Sequence, residues 1–131
     1  MGARILAVDD DPSIIKLLEI KLKRSGYEVT SAVNGEEGYR RAVEERPDLV
    51  LLDIMMPKMD GYEVCERLKK TLGAESPAIV MLSARGQQSD LERGFEVGAD
   101  DYVIKPFDLK ALVDRINTVL IRTGKRRSAA I

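Results

Sequence analysis

The chain has 131 residues and a mass of 14.6 kDa, enough for one domain that buries about two-thirds of its unfolded surface without a disulfide. Its 21 basic and 22 acidic residues leave a net charge of −1, which counts against a generic nucleic-acid-binding surface. There is no histidine and one cysteine, Cys65, so a Ser-His triad, a histidine general base, histidine metal ligands and a cysteine zinc cluster are excluded. Any bound metal must then take oxygen ligands, which favours Mg²⁺, Mn²⁺ or Ca²⁺.

Short apolar runs alternate with amphipathic stretches. Arg4 to Val8 reads as a first strand, and residues 13–25 follow as a helix with Ile15, Leu18 and Leu22 on one stripe behind Pro12. Tyr27 to Val33 is mixed in polarity and reads as an edge strand. Residues 35–46 hold Tyr39, Ala42 and Val43 at helical spacing and end at Pro47. Leu49 to Ile54 and Ala78 to Leu82 are nearly continuous apolar runs, as central strands covered on both faces require. Between them, residues 61–72 place Val64, Cys65, Leu68 and Leu72 on a helix. A further helix is expected over 87–97, with Leu91, Gly94 and Phe95. The short strand Tyr102 to Ile104 and a helix over 108–122, with Asp108 as its N-cap, complete the pattern.

Five βα units in succession predict an α/β domain: an open five-stranded parallel sheet with helices on both faces. Right-handed crossovers, a mixed second strand and a short fifth strand are satisfied by the order 2-1-3-4-5, the flavodoxin-like doubly wound arrangement. The domain is expected over residues 1–122, with 123–131 as a basic tail or linker. The start of the chain meets Asp9-Asp10-Asp11 too soon for a signal-peptide core, and no apolar run reaches the roughly 20 residues of a membrane helix. A cytoplasmic location without membrane contact is expected.

Polar residues gather where the strands end. Strand 1 runs into Asp9-Asp10-Asp11, strand 3 into Asp53, strand 4 into Ser83 and strand 5 into Lys105-Pro106. In open α/β sheets the ligand crevice lies outside these ends, at the switch between strands 1 and 3. Two carboxylates about 4 Å apart repel by roughly 4 kcal/mol at an effective dielectric near 20. Asp9, Asp10 and Asp53 together, offset by Lys105 alone, call for a divalent cation. The cluster points to a metal-assisted phosphoryl site in which Lys105 meets the phosphoryl group and Ser83 hydrogen-bonds it. Asp11, before Pro12-Ser13, reads as a turn or cap residue.

Four stretches carry a family resemblance: Ile5 to Pro12, Pro47 to Gly61, Leu82 to Arg85 and Gly98 to Phe107. Together, in this order and spacing, they resemble the receiver domain of bacterial two-component response regulators, over residues 3 to 122. The resemblance implies that Asp53 is the phosphoacceptor. It implies that Asp9, Asp10, Asp53 and the backbone carbonyl of Met55 hold Mg²⁺, or Mn²⁺ in its place, with Asp10 preferred over Asp9 as direct ligand. Ser83 and Lys105 match the phosphate-binding residues, Tyr102 the aromatic switch residue, and Met55 and Arg85 the positions that tune dephosphorylation. A cis bond before Pro106 is implied as well. The implied donor is a phosphohistidine on a sensor histidine kinase or a histidine phosphotransfer protein. The chain would be a phosphoacceptor that promotes its own phosphorylation and dephosphorylation, not a turnover enzyme.

Less specific features remain. Ile14, Leu17 and Ile20 lie off or at the edge of the first helix's buried stripe and suit docking of a kinase helix. Arg93, Asp100, Asp101, Arg115 and Arg122 form a mixed-charge face suited to a phosphorylation-dependent homodimer. Leu91 and Ala111 place apolar residues on that face. The closing motifs look most like regulators in which a DNA-binding domain follows the receiver. Three other readings stand beside this one: a phosphatase of the haloacid-dehalogenase type, faintly echoed in Asp9-Asp10-Asp11; a pseudo-receiver that only binds partners; and DNA binding through Arg122, Lys125, Arg126 and Arg127. With no helix-turn-helix behind that cluster, no direct nucleic-acid binding by the domain is expected.

Overall fold

The computed structural model describes residues 2–83, 93 and 96–124. Five strands, β1 (Arg4–Val8), β2 (Glu28–Ala32), β3 (Leu49–Asp53), β4 (Ala78–Ser83) and β5 (Asp101–Ile104), form one parallel sheet in the order β2-β1-β3-β4-β5. This is the expected order, with the mixed strand at one edge and the short one at the other. The helices are α1 (Pro12–Arg24), α2 (Gly35–Glu45), α3 (Gly61–Leu72), followed by a 3₁₀ turn at Gly73–Glu75, and α4 (Leu109–Thr123). The helix expected over 87–97 lies outside the described residues except at Arg93, Glu96 and Val97. The tail from Lys125 onward lies outside them too.

The alternation of each strand divides the core in two. Leu6, Val8, Val50, Leu52, Ile79, Met81 and Tyr102 face α2 and α3, while Ile5, Ala7, Leu49, Leu51, Ala78, Val80 and Leu82 face α1 and α4. Every residue of β3 and β4 is buried, which is why those runs lack polar alternation. On α1 the stripe Ile15, Leu18 and Leu22 is buried as spaced; on α4 it is Leu112, Ile116, Val119 and Leu120.

Caps fix where helices begin, and so where the loops above the sheet run. Asp11 accepts the Ser13 N–H at 2.9 Å, Asn34 that of Glu37 at 2.9 Å, Asp60 that of Glu63 at 2.9 Å and Asp108 that of Lys110 at 3.2 Å. At the opposite rim of the sheet Asp48 accepts the Arg4 N–H at 2.8 Å, and the Arg4 guanidinium donates to the Glu45 carbonyl at 2.7 Å. That contact ties β1 to the end of α2.

Candidate functional site

The parallel register brings the carboxyl ends of β1, β3, β4 and β5 to one rim. Val8 pairs with Leu52, Asp53 with Leu82 and Ser83 with Ile104. Asp9, Asp53 and Ser83 therefore lie at one rim, and the long side chain of Lys105 reaches in from the edge strand β5 across the end of β4 to join them. Asp9 is 1% exposed and Asp53 5%; Ser83 is buried and Asp10 lies open to solvent. Each of Asp9, Asp10 and Asp53 offers a carboxylate oxygen within 4.8 Å of the others.

Lys105 closes this group. Its Nζ lies 2.8 Å from Asp9 Oδ2 and 3.4 Å from Asp53 Oδ1. Asp9 is committed on its other oxygen as well, accepting the Asp11 N–H at 2.9 Å. The peptide bond from Lys105 to Pro106 is cis, as the resemblance implied. The Lys105 N–H donates to the Ser83 carbonyl at 2.6 Å, which places the lysine at the end of β4.

One ammonium does not balance three carboxylates. Burial, and then the neighbouring charge of Asp9, push the Asp53 carboxyl up to about 6, although Lys105 pulls it the other way. Burial works against the Lys105 ammonium, but its hydrogen bond to Asp9 and the charges of Asp53 and Asp9 outweigh this and raise its pKa. The donor set fits a hard divalent cation: closely spaced carboxylates, two buried and one facing water, with excess negative charge.

The segment 54–60 leads away from Asp53. Met55 is 73% exposed, so its side chain does not pack in the core. Two features here carried no signal in the apolar pattern. Lys58 has φ 70°, and Gly61 is packed so tightly that a Cβ would stand 2.6 Å from the Asp53 carbonyl oxygen. The pairs Asn34-Gly35 and Asp60-Gly61, each a cap residue followed by glycine, were the available clue.

Tyr102 is 6% exposed and packs in the core facing α2 and α3. On α1, Leu17 and Ile20 are exposed and Ile14 is half-buried against the core. The mixed-charge residues engage partners within the chain. Arg115 Nη1 is 2.8 Å from both Asp101 oxygens, and Arg122 donates to the Asp100 carbonyl. The Asp100 carboxylate accepts the Ile79 N–H at 2.8 Å and lies 3.8 Å from Lys69. The Arg93 guanidinium stacks 4.5 Å from the centre of the Tyr62 ring. Arg85 and Leu91 lie outside the described residues. Among the described residues no helix is long and apolar enough to cross a membrane.

Comparison with known proteins points the same way. The sequence profile of the response regulator receiver domain matches residues 5–117. The chain is 45% identical over 127 residues to the DNA-binding dual master transcriptional regulator RpaA of Synechocystis, a match covering 97% of this chain and 53% of the relative. It is 44% identical to the alkaline phosphatase synthesis transcriptional regulatory protein PhoP of Bacillus subtilis, covering 94% and 50%. The chain thus spans about half the length of the curated relatives it matches. Among solved structures, a putative response regulator from Chloroflexus aurantiacus superposes with a TM-score of 0.87 at 38% identity, covering 93% of this chain and 100% of that one. The chemotaxis protein CheY4 of Vibrio cholerae does so with 0.86 at 32%, covering 92% and 100%.

Proposed function

The chain belongs to the response regulator receiver domain family of two-component systems, and on that premise we propose that it takes a phosphoryl group onto Asp53 from a phosphohistidine on a sensor histidine kinase or a histidine phosphotransfer protein. The observation that carries this reading is the buried Asp53 carboxylate, grouped with Asp9 and Asp10 within 4.8 Å and reached by Lys105 at 3.4 Å. The absence of histidine fits an acceptor whose donor is another chain.

In the proposed step an Asp53 oxygen attacks phosphorus in line, forming an O–P bond as the donor's N–P bond breaks. The electron pair leaves with the imidazole nitrogen. Asp53 must be ionised to attack, which its raised pKa still allows at neutral pH. Lys105 neutralises charge that builds on the phosphoryl oxygens, and Ser83 donates a hydrogen bond to one of them. Asp9, Asp10, Asp53 and the Met55 carbonyl would hold Mg²⁺ or Mn²⁺, which supplies further positive charge to those oxygens. Asp10 is the open carboxylate and suits direct ligation, whereas Asp9 is already bound to Lys105 and the Asp11 N–H. Water later hydrolyses the acyl phosphate, at a rate tuned by Met55 and Arg85.

The added phosphate, about −1.5 to −2 in charge, biases a two-state surface through Ser83 and Tyr102. Ile14, Leu17 and Ile20 dock the kinase. Arg93, Asp100, Asp101, Arg115 and Arg122 form the face of a phosphorylation-dependent homodimer. The domain works in the cytoplasm and does not itself bind nucleic acid. Acetyl phosphate with Mg²⁺ tests the core of this reading, because one phosphoryl group should appear in the intact mass and vanish in Asp53→Asn.

A further inference from the structure

The segment 54–60, which leaves β3 beside the acidic group, is braced by a glycine on each side. Gly61 opens α3 against the backbone of Asp53 and Ile54, where a Cβ would meet the Ile54 Cα at 2.8 Å, and its N–H donates to the Ile54 carbonyl at 2.9 Å. Gly35 opens α2 from the opposite side. A Cβ on Gly35 would overlap the Met59 carbonyl oxygen and stand 2.9 Å from the Met59 Cβ. The constraint at Gly35 is space, since the nearest atom is the Met59 carbonyl oxygen, which is main chain and cannot swing away. The first turn of α2 is itself tied down: Asn34 accepts the Glu37 N–H at 2.9 Å, and Glu37 accepts the Val33 N–H at 3.0 Å. Within the segment the Met59 N–H donates to the Pro57 carbonyl at 2.8 Å, and Lys58 sits in the left-handed region.

We propose that Gly35 is a positioning residue for the cation and phosphoryl site. Its missing side chain lets the capped turn of α2 press on Met59 and fix the path of the segment that carries the Met55 carbonyl. This rests on the site reading above, in which that carbonyl is a ligand. A Cβ at position 35 must displace Met59, whose N–H is tied to the Pro57 carbonyl, and Pro57 lies two residues from Met55 on the same short segment. A group that orients a ligand from behind changes metal affinity by about 10–100-fold when lost.

The test is direct Mn²⁺ binding, followed by electron paramagnetic resonance on the metal-free protein, with folding checked by circular dichroism. Wild type should bind one ion, and Asp53→Asn should bind it more weakly, which identifies the site. Gly35→Ala should then bind about tenfold more weakly or worse. Gly73→Ala is the control. It strains the φ 54° residue that ends α3, where a Cβ meets nothing within 4 Å, so it costs stability with Mn²⁺ affinity unchanged. Wild-type affinity in folded Gly35→Ala overturns the proposal. If that variant does not fold, Asn34→Ala unties the same turn without adding an atom; a several-fold loss of affinity supports the proposal and no loss overturns it. A wild-type protein that binds no ion overturns the site reading and this inference together.

Discussion

Asp53 is raised in pKa because folding removes it from water and sets it beside Asp9. The sign of the consequence follows from linkage. With a folded value of about 6 against an ordinary 3.8, the metal-free folded state holds more protons than the unfolded chain between those values. The associated stability is fully present below the ordinary value and is lost as pH rises through about 6. The ionised carboxylate therefore strains the metal-free protein at neutral pH. Asp53→Asn should stabilise it there by about 1–3 kcal/mol, a gap that thermal melts should show closing as pH falls toward 4. An unchanged gap across that range would refute the assignment of strain to Asp53. Mg²⁺ should oppose the same strain, so its affinity should fall as pH drops through 6. Asp10→Asn should weaken Mg²⁺ in a calorimetric titration and slow phosphorylation; an unaltered titration would remove Asp10 from the ligand set.

The elements place these residues by backbone contacts more than by side-chain packing. Gly61→Ala would drive a Cβ to 2.6 Å from the Asp53 carbonyl, and overpacking of this kind costs about 1–3 kcal/mol. Urea denaturation should register that loss. Asp11→Ala removes the α1 cap and should cost about 1 kcal/mol in the same assay, with the melting transition still cooperative. The strands and the described helices were legible in the sequence to within a residue or two. Their signal is periodicity, and apolar runs such as Ala78 to Leu82 have little else to become once buried on both faces. The convergence of Asp9, Asp53, Ser83 and Lys105 was legible too, because strand ends of a parallel sheet share one rim. The close approaches of Gly35 and Gly61, the left-handed Lys58 and the capping of α2 and α3 by Asn34 and Asp60 carry no signal in that periodicity. They depend on how loops meet across elements, which a period along one element does not encode.

Across the whole molecule, the charges expected to pair between two copies are engaged within one. Arg115 grips both oxygens of Asp101, and the Asp100 carboxylate turns toward the start of β4. A homodimer through this face has to exchange such contacts, and each exposed pair contributes only about 0–1 kcal/mol. The proposed switch thus predicts a monomer by sedimentation without phosphate and association with beryllofluoride and Mg²⁺, reduced in Arg115→Glu. No change with beryllofluoride would remove the dimer from the account. The central claim is narrower: a buried aspartate at the end of β3 is the single acceptor of a phosphoryl group. Intact-mass analysis after incubation with acetyl phosphate and Mg²⁺ tests it most directly. The account predicts one added phosphoryl group on the wild-type chain and none on Asp53→Asn; full labelling of Asp53→Asn, or none of the wild type, would contradict it.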